Sequence, residues 1–189
     1  MNQWISRFVS LFLIIFSWSV NAHPHIFIDS YYKASVSQGK LEQLEAFWLV
    51  DDFTSSSVMM GYDLDLDGQI LGQEKEDLIK AFDAFNEQAY FLKIEKNGQP
   101  ILPANVTITD LQVRNQQLWL SLSILLPEVV NLRAASLSLA FGDDTMYTAL
   151  LPDQQIGLVQ LTGQDAENCT PEQRESEVIT IDSWIDLSC

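Results

Sequence analysis

Apolar and polar residues alternate along most of the chain, and this period of two is typical of β-strands that bury one face. A first alternating segment at residues 25–37 and a second at 41–50 are separated by the turn residues 38–40. This arrangement predicts a hairpin.

Short alternating segments follow from residue 90 onwards, and the last of them is at 178–184. The dipeptide Asn97-Gly98 lies between two of these segments and favours the tight turn of a β-hairpin. A polar stretch at 164–176 predicts a loop. We therefore expect about eight short strands in all.

Between about residues 52 and 89 the pattern changes to a helical period. Asp52 or Thr54 is placed to cap a short helix that continues through Met60. A second helix is predicted after residue 74, where apolar residues recur at helical spacing. The fold class is therefore predicted as α+β, a mainly antiparallel, sandwich-like β domain with an inserted EF-hand-like helix–loop–helix at about 52–89. The apolar residues of the second helix are Leu78, Ile79, Phe82, Phe85 and Ala89.

The segment between the two helices fits the twelve-residue calcium loop of an EF-hand position by position. Asp63, Asp65 and Asp67 occupy places 1, 3 and 5, so their carboxylates are expected to converge on one hard cation. Gly68 at place 6 permits the positive φ that wraps the chain around the ion. The alternative is an acidic loop that is merely solvated.

Two further residues of the loop are expected to complete the calcium sphere. Gln69 would supply its backbone carbonyl, and Glu74 at place 12 would supply both carboxylate oxygens. A water molecule is expected in place of a ligand from Leu71. EF-hands ordinarily occur in pairs, and the chain has no second loop of this spacing. The apolar face of the insertion is therefore expected to pack on the sheet rather than on another copy of the protein.

Residues 1–22 are predicted to be a cleaved signal peptide. Arg7 precedes an apolar run at residues 8–20, and a small-residue cleavage signal ends at Ala22. The run is short for a membrane span, which needs about 20 apolar residues. We expect residues 23–189 to form a single periplasmic domain without a transmembrane segment.

Cleavage after Ala22 would place His23 and His25 at the first and third positions of the new chain. The α-amine and a ring nitrogen of His23 can chelate one metal ion, and His25 can add a third nitrogen. Such ligands suit nickel, cobalt, zinc or copper. Carboxylates of Asp29, Asp51 or Asp52 are candidates for the remaining ligands. The alternative is a disordered terminus whose histidines have no role.

Composition narrows the classes of function. The net charge of −16 attracts cations and repels nucleic acid, so nucleic-acid binding is not expected. The two cysteines, Cys169 and Cys189, are expected to form a disulfide in an oxidising compartment. Both histidines lie together at one end of the chain, which disfavours a catalytic triad or a copper oxygenase site. We therefore expect no enzymatic activity.

The order of these motifs resembles a bacterial family known as domain of unknown function 1007. The resemblance rests on the His-Pro-His start at residues 23–29, the acidic segment at 48–54, the loop at 63–74 and the Tyr90-Phe91 strand start. It covers most of residues 23–150. Members are described as a periplasmic component of an uncharacterised transport system, and their genes often lie beside permeases that resemble nickel and cobalt transporters.

Two functions follow as expectations. The first is a periplasmic metal-binding accessory protein that assists a membrane transporter of nickel, cobalt, zinc or copper. In this role a structural calcium ion would occupy the loop. The alternative is a calcium-stabilised periplasmic adaptor with no transition-metal role.

Overall fold

The computed structural model describes residues 25–189, so the expected signal peptide and His23 lie outside the described residues. Eleven β-strands, two α-helices and two 3₁₀ segments occur in the described part of the chain. The strands are β1 (Ile26–Ser35), β2 (Lys40–Val50), β3 (Leu92–Lys96), β4 (Gln99–Pro100), β5 (Asn105–Arg114), β6 (Gln117–Asn131), β7 (Leu137–Phe141), β8 (Thr148–Pro152), β9 (Val159–Thr162), β10 (Thr170–Glu175) and β11 (Ser183–Ser188). The helices are α1 (Asp52–Tyr62) and α2 (Gly72–Phe82), and the 3₁₀ segments are Asp83–Phe91 and Ala166–Asn168.

The strands form two sheets. One sheet has the order β5-β6-β2-β1-β8, and β9 also pairs with β1, while the other has the order β10-β11-β7-β3-β4. Most neighbours are antiparallel, but β1 runs parallel to both β8 and β9. The predicted α+β class with mainly antiparallel strands is therefore confirmed, and the first sheet is mixed. None of the helices within residues 25–189 combines the length and apolar character needed to cross a bilayer.

Buried aromatic side chains join the two sheets. Tyr32 of β1 has no exposed surface, and its ring stacks on Phe141 of β7 at a centroid distance of 4.2 Å. The Tyr32 hydroxyl donates a hydrogen bond of 2.7 Å to the carbonyl of Ala140, so its polar atom is satisfied inside the core. Burial raises the pKa of Tyr32 well above its usual value.

The predicted hairpins are present. β1 and β2 pair antiparallel around the turn at 38–40, and β3 and β4 pair around Asn97-Gly98. Asn97 and Gly98 have φ angles of +52° and +73°, the left-handed backbone that a type I′ turn requires.

The helical insertion differs from the prediction at three points. Asp51, rather than Asp52 or Thr54, is the N-cap of α1. α2 begins at Gly72 and ends at Phe82, so the predicted single helix through Ala89 continues as a 3₁₀ segment. Ala89 has a φ of +49°, and this left-handed turn redirects the chain so that the following Tyr90 and Phe91 pack beside buried Trp48. A helical period alone does not report such a turn.

The C-terminal region corrects two further predictions. The polar stretch expected as a loop contains β10, an edge strand whose residues are all exposed. Because neither face of β10 is buried, its sequence lacks the alternation by which a strand is detected. The strand expected at 178–184 is β11, which begins only at Ser183. The expected disulfide between Cys169 and Cys189 is confirmed.

Candidate metal-binding sites

The helical insertion is fixed to the sheet at the start of α1. The Asp51 carboxylate accepts hydrogen bonds from the backbone N–H of Thr54 at 2.9 Å, the Thr54 hydroxyl at 2.8 Å and the backbone N–H of Phe27 at 3.0 Å. Partial burial raises the pKa of Asp51, but these hydrogen bonds outweigh it and hold the pKa below its usual value. One carboxylate therefore caps α1 and ties it to β1.

A buried serine provides a second attachment. Ser55 has no exposed surface, and its hydroxyl donates to the carbonyl of Val50 at 3.1 Å. The same oxygen accepts a hydrogen bond of 3.0 Å from the backbone N–H of Leu118 in β6. Both hydrogen-bonding functions of the hydroxyl are satisfied, so α1 has a defined position against β6.

Three carboxylates converge in the loop between α1 and α2. One oxygen atom of each of Asp63, Asp65 and Asp67 lies within 4.8 Å of the others. Asp63 is 8% exposed, whereas Asp65 and Asp67 are exposed. Hard cations such as calcium take carboxylate oxygens as ligands. This acidic cluster can therefore hold a metal ion, as the sequence predicted for these three residues.

Backbone N–H groups of the loop hold these carboxylates in place. The Asp63 carboxylate accepts from the N–H of Asp67 at 3.1 Å and of Gly68 at 3.0 Å. The Asp67 carboxylate accepts from the N–H of Gln69 at 2.7 Å. Gly68 has a φ of +80°, as expected for the turn at place 6. The loop is thus organised by its own main chain around the carboxylates.

Glu74, the other carboxylate predicted as a calcium ligand, is arranged differently from the three aspartates. Glu74 lies outside the group of three, and one of its oxygens accepts from the N–H of Leu64 at 2.6 Å and of Asp65 at 3.4 Å. The side chain of Gln69 donates to the carbonyl of Gly68 at 2.9 Å, and the role of the Gln69 backbone carbonyl as a ligand stays a prediction. In this arrangement Glu74 closes the loop through the main chain, while its second oxygen makes no hydrogen bond to these amides.

The loop and α2 pack on the protein's own β domain. Ile70 at place 8 is 1% exposed and Leu78 of α2 is 2% exposed, and both belong to the main hydrophobic core. Lys75 of α2 forms an ion pair of 2.7 Å with Asp110 of β5. The contact with Lys75 lowers the pKa of Asp110. The lone helix–loop–helix therefore packs one apolar side on the sheet.

His25 directly precedes β1, an inner strand of the mixed sheet. Its backbone N–H donates to the carbonyl of Tyr147 at 2.8 Å, and the two rings are 5.1 Å apart. The imidazole is exposed. The main chain at His25 is thus paired with the start of β8, and the ring remains accessible. Nothing local in the sequence indicates the neighbour Tyr147, because parallel pairing of β1 with β8 brings it there.

The proposed carboxylate partners do not form a converging group of metal ligands with His25. Asp29 lies four residues further along β1, which corresponds to roughly 13 Å. Asp51 is occupied as the helix cap. Within residues 25–189, the converging group of possible metal ligands is that of the three aspartates and excludes His25. A site at His25 would therefore depend on His23, which lies outside the described residues.

A family model described as "Protein of unknown function (DUF1007)" matches residues 8–182 of the chain. The match extends beyond the region over which the motifs alone suggested the resemblance, and it includes the loop, His23 and His25. No curated protein matches the chain.

Proposed function

The chain belongs to the DUF1007 family of proteins of unknown function, and we propose that it is a periplasmic metal-binding accessory protein. In this proposal the loop at 63–74 binds a structural calcium ion, and His23 with His25 binds a transition metal for a membrane transporter. No catalytic step is assigned to the chain. The observation that carries the proposal is the convergence of Asp63, Asp65 and Asp67 within 4.8 Å.

The surroundings of the cluster support a structural role for calcium. The carboxylates lie between two helices that are separately attached to the sheet, α1 through Ser55 and α2 through buried Leu78 and the ion pair of Lys75. A calcium ion bound to the carboxylates of the loop would stabilise the folded arrangement of both helices, because the ion binds the unfolded chain only weakly. Calcium concentrations outside cells are high enough to occupy sites of this kind.

The N-terminal histidines support the transition-metal part of the proposal. The backbone hydrogen bond from His25 to Tyr147 holds the main chain at His25 in place, and the imidazole is exposed. If a signal peptidase releases His23, its amine and ring would add two nitrogen ligands to that of His25. Nickel, cobalt, zinc and copper accept such nitrogen ligands.

The disulfide supports a location outside the cytoplasm. Cys169 and Cys189 are bonded to each other, and disulfides persist in oxidising compartments such as the periplasm. A signal peptide at residues 1–22 would bring the chain there. A transporter in the adjoining membrane is the proposed recipient or source of the metal.

Calorimetric titration with calcium tests the first part. We expect one site per chain, and we expect Asp65→Ala to abolish it, because Asp65 is exposed and its loss removes a ligand without opening the core. Asp77→Ala, which changes an exposed carboxylate of α2 outside the cluster, is the matched control. Equal calcium binding by both variants and the unchanged protein would contradict the proposal.

Titration with Ni²⁺, Co²⁺, Zn²⁺ and Cu²⁺ tests the second part on protein that begins at His23. We expect one site that His25→Ala weakens at least about tenfold, since one of three nitrogen ligands is lost. The Asp65→Ala variant should retain this site. If no metal binds more tightly than to a form that begins at Ile26, the histidines have no metal role.

A further inference from the structure

Helix α1 has apolar side chains on two opposite sides, and residues 25–189 pack against only one of them. Val58 and Tyr62 contact the core together with buried Ser55. Phe53 and Met60 are 80% and 81% exposed. Each lies two residues from a packed position, which is about 200° around the helix axis. A helix that is apolar on both sides is ordinarily covered on both sides.

The exposed apolar residues continue into the loop that follows. Leu64 is 78% exposed and Leu66 is 84% exposed. Phe53, Met60, Leu64 and Leu66 together are called the α1 surface. Apolar residues that cluster on a protein surface often mark interaction sites.

The charge of this segment decides what can cover the α1 surface. Residues 51–74, which comprise the cap of α1, the helix itself and the loop, contain no lysine or arginine. They carry the carboxylates of Asp51, Asp52, Asp63, Asp65, Asp67 and Glu74. The next basic residue, Lys75, is paired with Asp110. An occupant must therefore combine apolar side chains with positive charge.

The same charge disfavours two other occupants. A second copy of the chain would bring an equally acidic segment against the first, and the chain as a whole carries −16. Anionic lipid would be repelled in the same way. A cationic segment of another protein meets both requirements.

We propose that the α1 surface binds a basic amphipathic helix of a partner protein. Apolar side chains of that helix at spacings of three, four and seven residues would pack on Phe53 and Met60, and its lysines and arginines would face the carboxylates. The unbranched side chain of Met60 adapts to partners of different shape. The proposal requires neither metal ion, and it suits an adaptor as well as a metal-binding protein.

The test uses the disulfide-bonded chain and a synthetic peptide of leucine and lysine arranged at helical spacing. The double variant Phe53→Ser/Met60→Ser removes apolar surface without changing the charge of the protein. Ile179→Ser is the matched control, since Ile179 is 90% exposed elsewhere on the molecule. Calorimetry or fluorescence anisotropy measures affinity, and circular dichroism verifies that each variant is folded.

We expect one-to-one binding that the double variant weakens at least about tenfold and that Ile179→Ser leaves within about twofold. Leu64→Ser/Leu66→Ser, in the loop, should also weaken binding. The proposal is overturned if the double variant binds the peptide as the unchanged protein does, or if a peptide with glutamate in place of lysine binds equally well. A dimer that depends on Phe53 and Met60 would instead identify a second copy as the occupant, and binding to phosphatidylcholine vesicles that depends on them would identify lipid. Either result overturns it.

Discussion

Replacing Asp63 with alanine separates the effect of the loop's own hydrogen bonds from the effect of bound calcium. Without calcium, the change removes the two hydrogen bonds from the N–H groups of Asp67 and Gly68, each worth about 1.5 kcal/mol net because the acceptor is charged. It also removes the repulsion between Asp63 and two carboxylates within 4.8 Å, which amounts to about 1 kcal/mol for each pair in a water-like medium. The two effects largely cancel, so the unfolding temperature should fall only slightly.

With calcium the two proteins should differ strongly. At a calcium concentration one hundred times the dissociation constant, binding stabilises the unchanged protein by about 2.7 kcal/mol. For a domain of this size, 1 kcal/mol corresponds to roughly 2–4 °C in unfolding temperature. We therefore expect a rise of about 5–11 °C in the unchanged protein and none in Asp63→Ala.

Differential scanning calorimetry measures the unfolding temperature of both proteins, once with calcium and once with a chelator. Asp77→Ala is the control and should show the same rise as the unchanged protein. The reasoning fails if Asp63→Ala keeps the calcium-dependent rise, or if the unchanged protein shows none. Loss of transition-metal binding in the folded Asp63→Ala protein would show that the two proposed sites are one.

Three further predictions concern the packing and the charges of the fold. Ile70→Ala should lower the free energy of unfolding by about 2–5 kcal/mol with or without calcium, because Ile70 is buried in the core. Denaturant unfolding measures this loss, and a loss below about 1 kcal/mol would mean that packing does not hold the loop. Burial raises the pKa of Asp143, but hydrogen bonds from Thr145 and Thr148 outweigh burial and hold the pKa below its usual value. The stabilisation from this depressed pKa is lost when the carboxylate is protonated, so stability should fall as the pH drops below about 4. Thermal scans should show a weaker acid dependence in Asp143→Asn, and an unchanged acid dependence would contradict this assignment. Reduction of the disulfide, which spans 20 residues, should cost about 3 kcal/mol, and equal denaturation midpoints with and without reductant would refute it.

Local features of the sequence predicted the local parts of the structure. The turn at 38–40, Asn97-Gly98 and the spacing of the three aspartates each act over a few residues, and the structure contains all of them. Their geometry depends on backbone preferences that neighbouring residues determine. This is why the hairpins and the aspartate cluster could be located from the sequence.

Long-range pairing could not be predicted in this way. The parallel contact of β1 with β8, which brings Tyr147 beside His25, joins segments that share no local pattern. The edge strand β10 was missed because it has no buried face. Asp51 caps α1 while its carboxylate also accepts a hydrogen bond from the Phe27 amide of a neighbouring strand, and this second contact is long-range. The two-sided apolar character of α1 became informative only when one of its sides was seen to be packed.

Native mass spectrometry of the protein recovered from the cells that produce it tests the proposed function most directly, because one spectrum reports both the start of the chain and its bound ions. The proposal predicts a chain that begins at His23, retains one calcium ion and binds one transition-metal ion that His25→Ala loses. A chain that begins elsewhere and holds neither ion would contradict it.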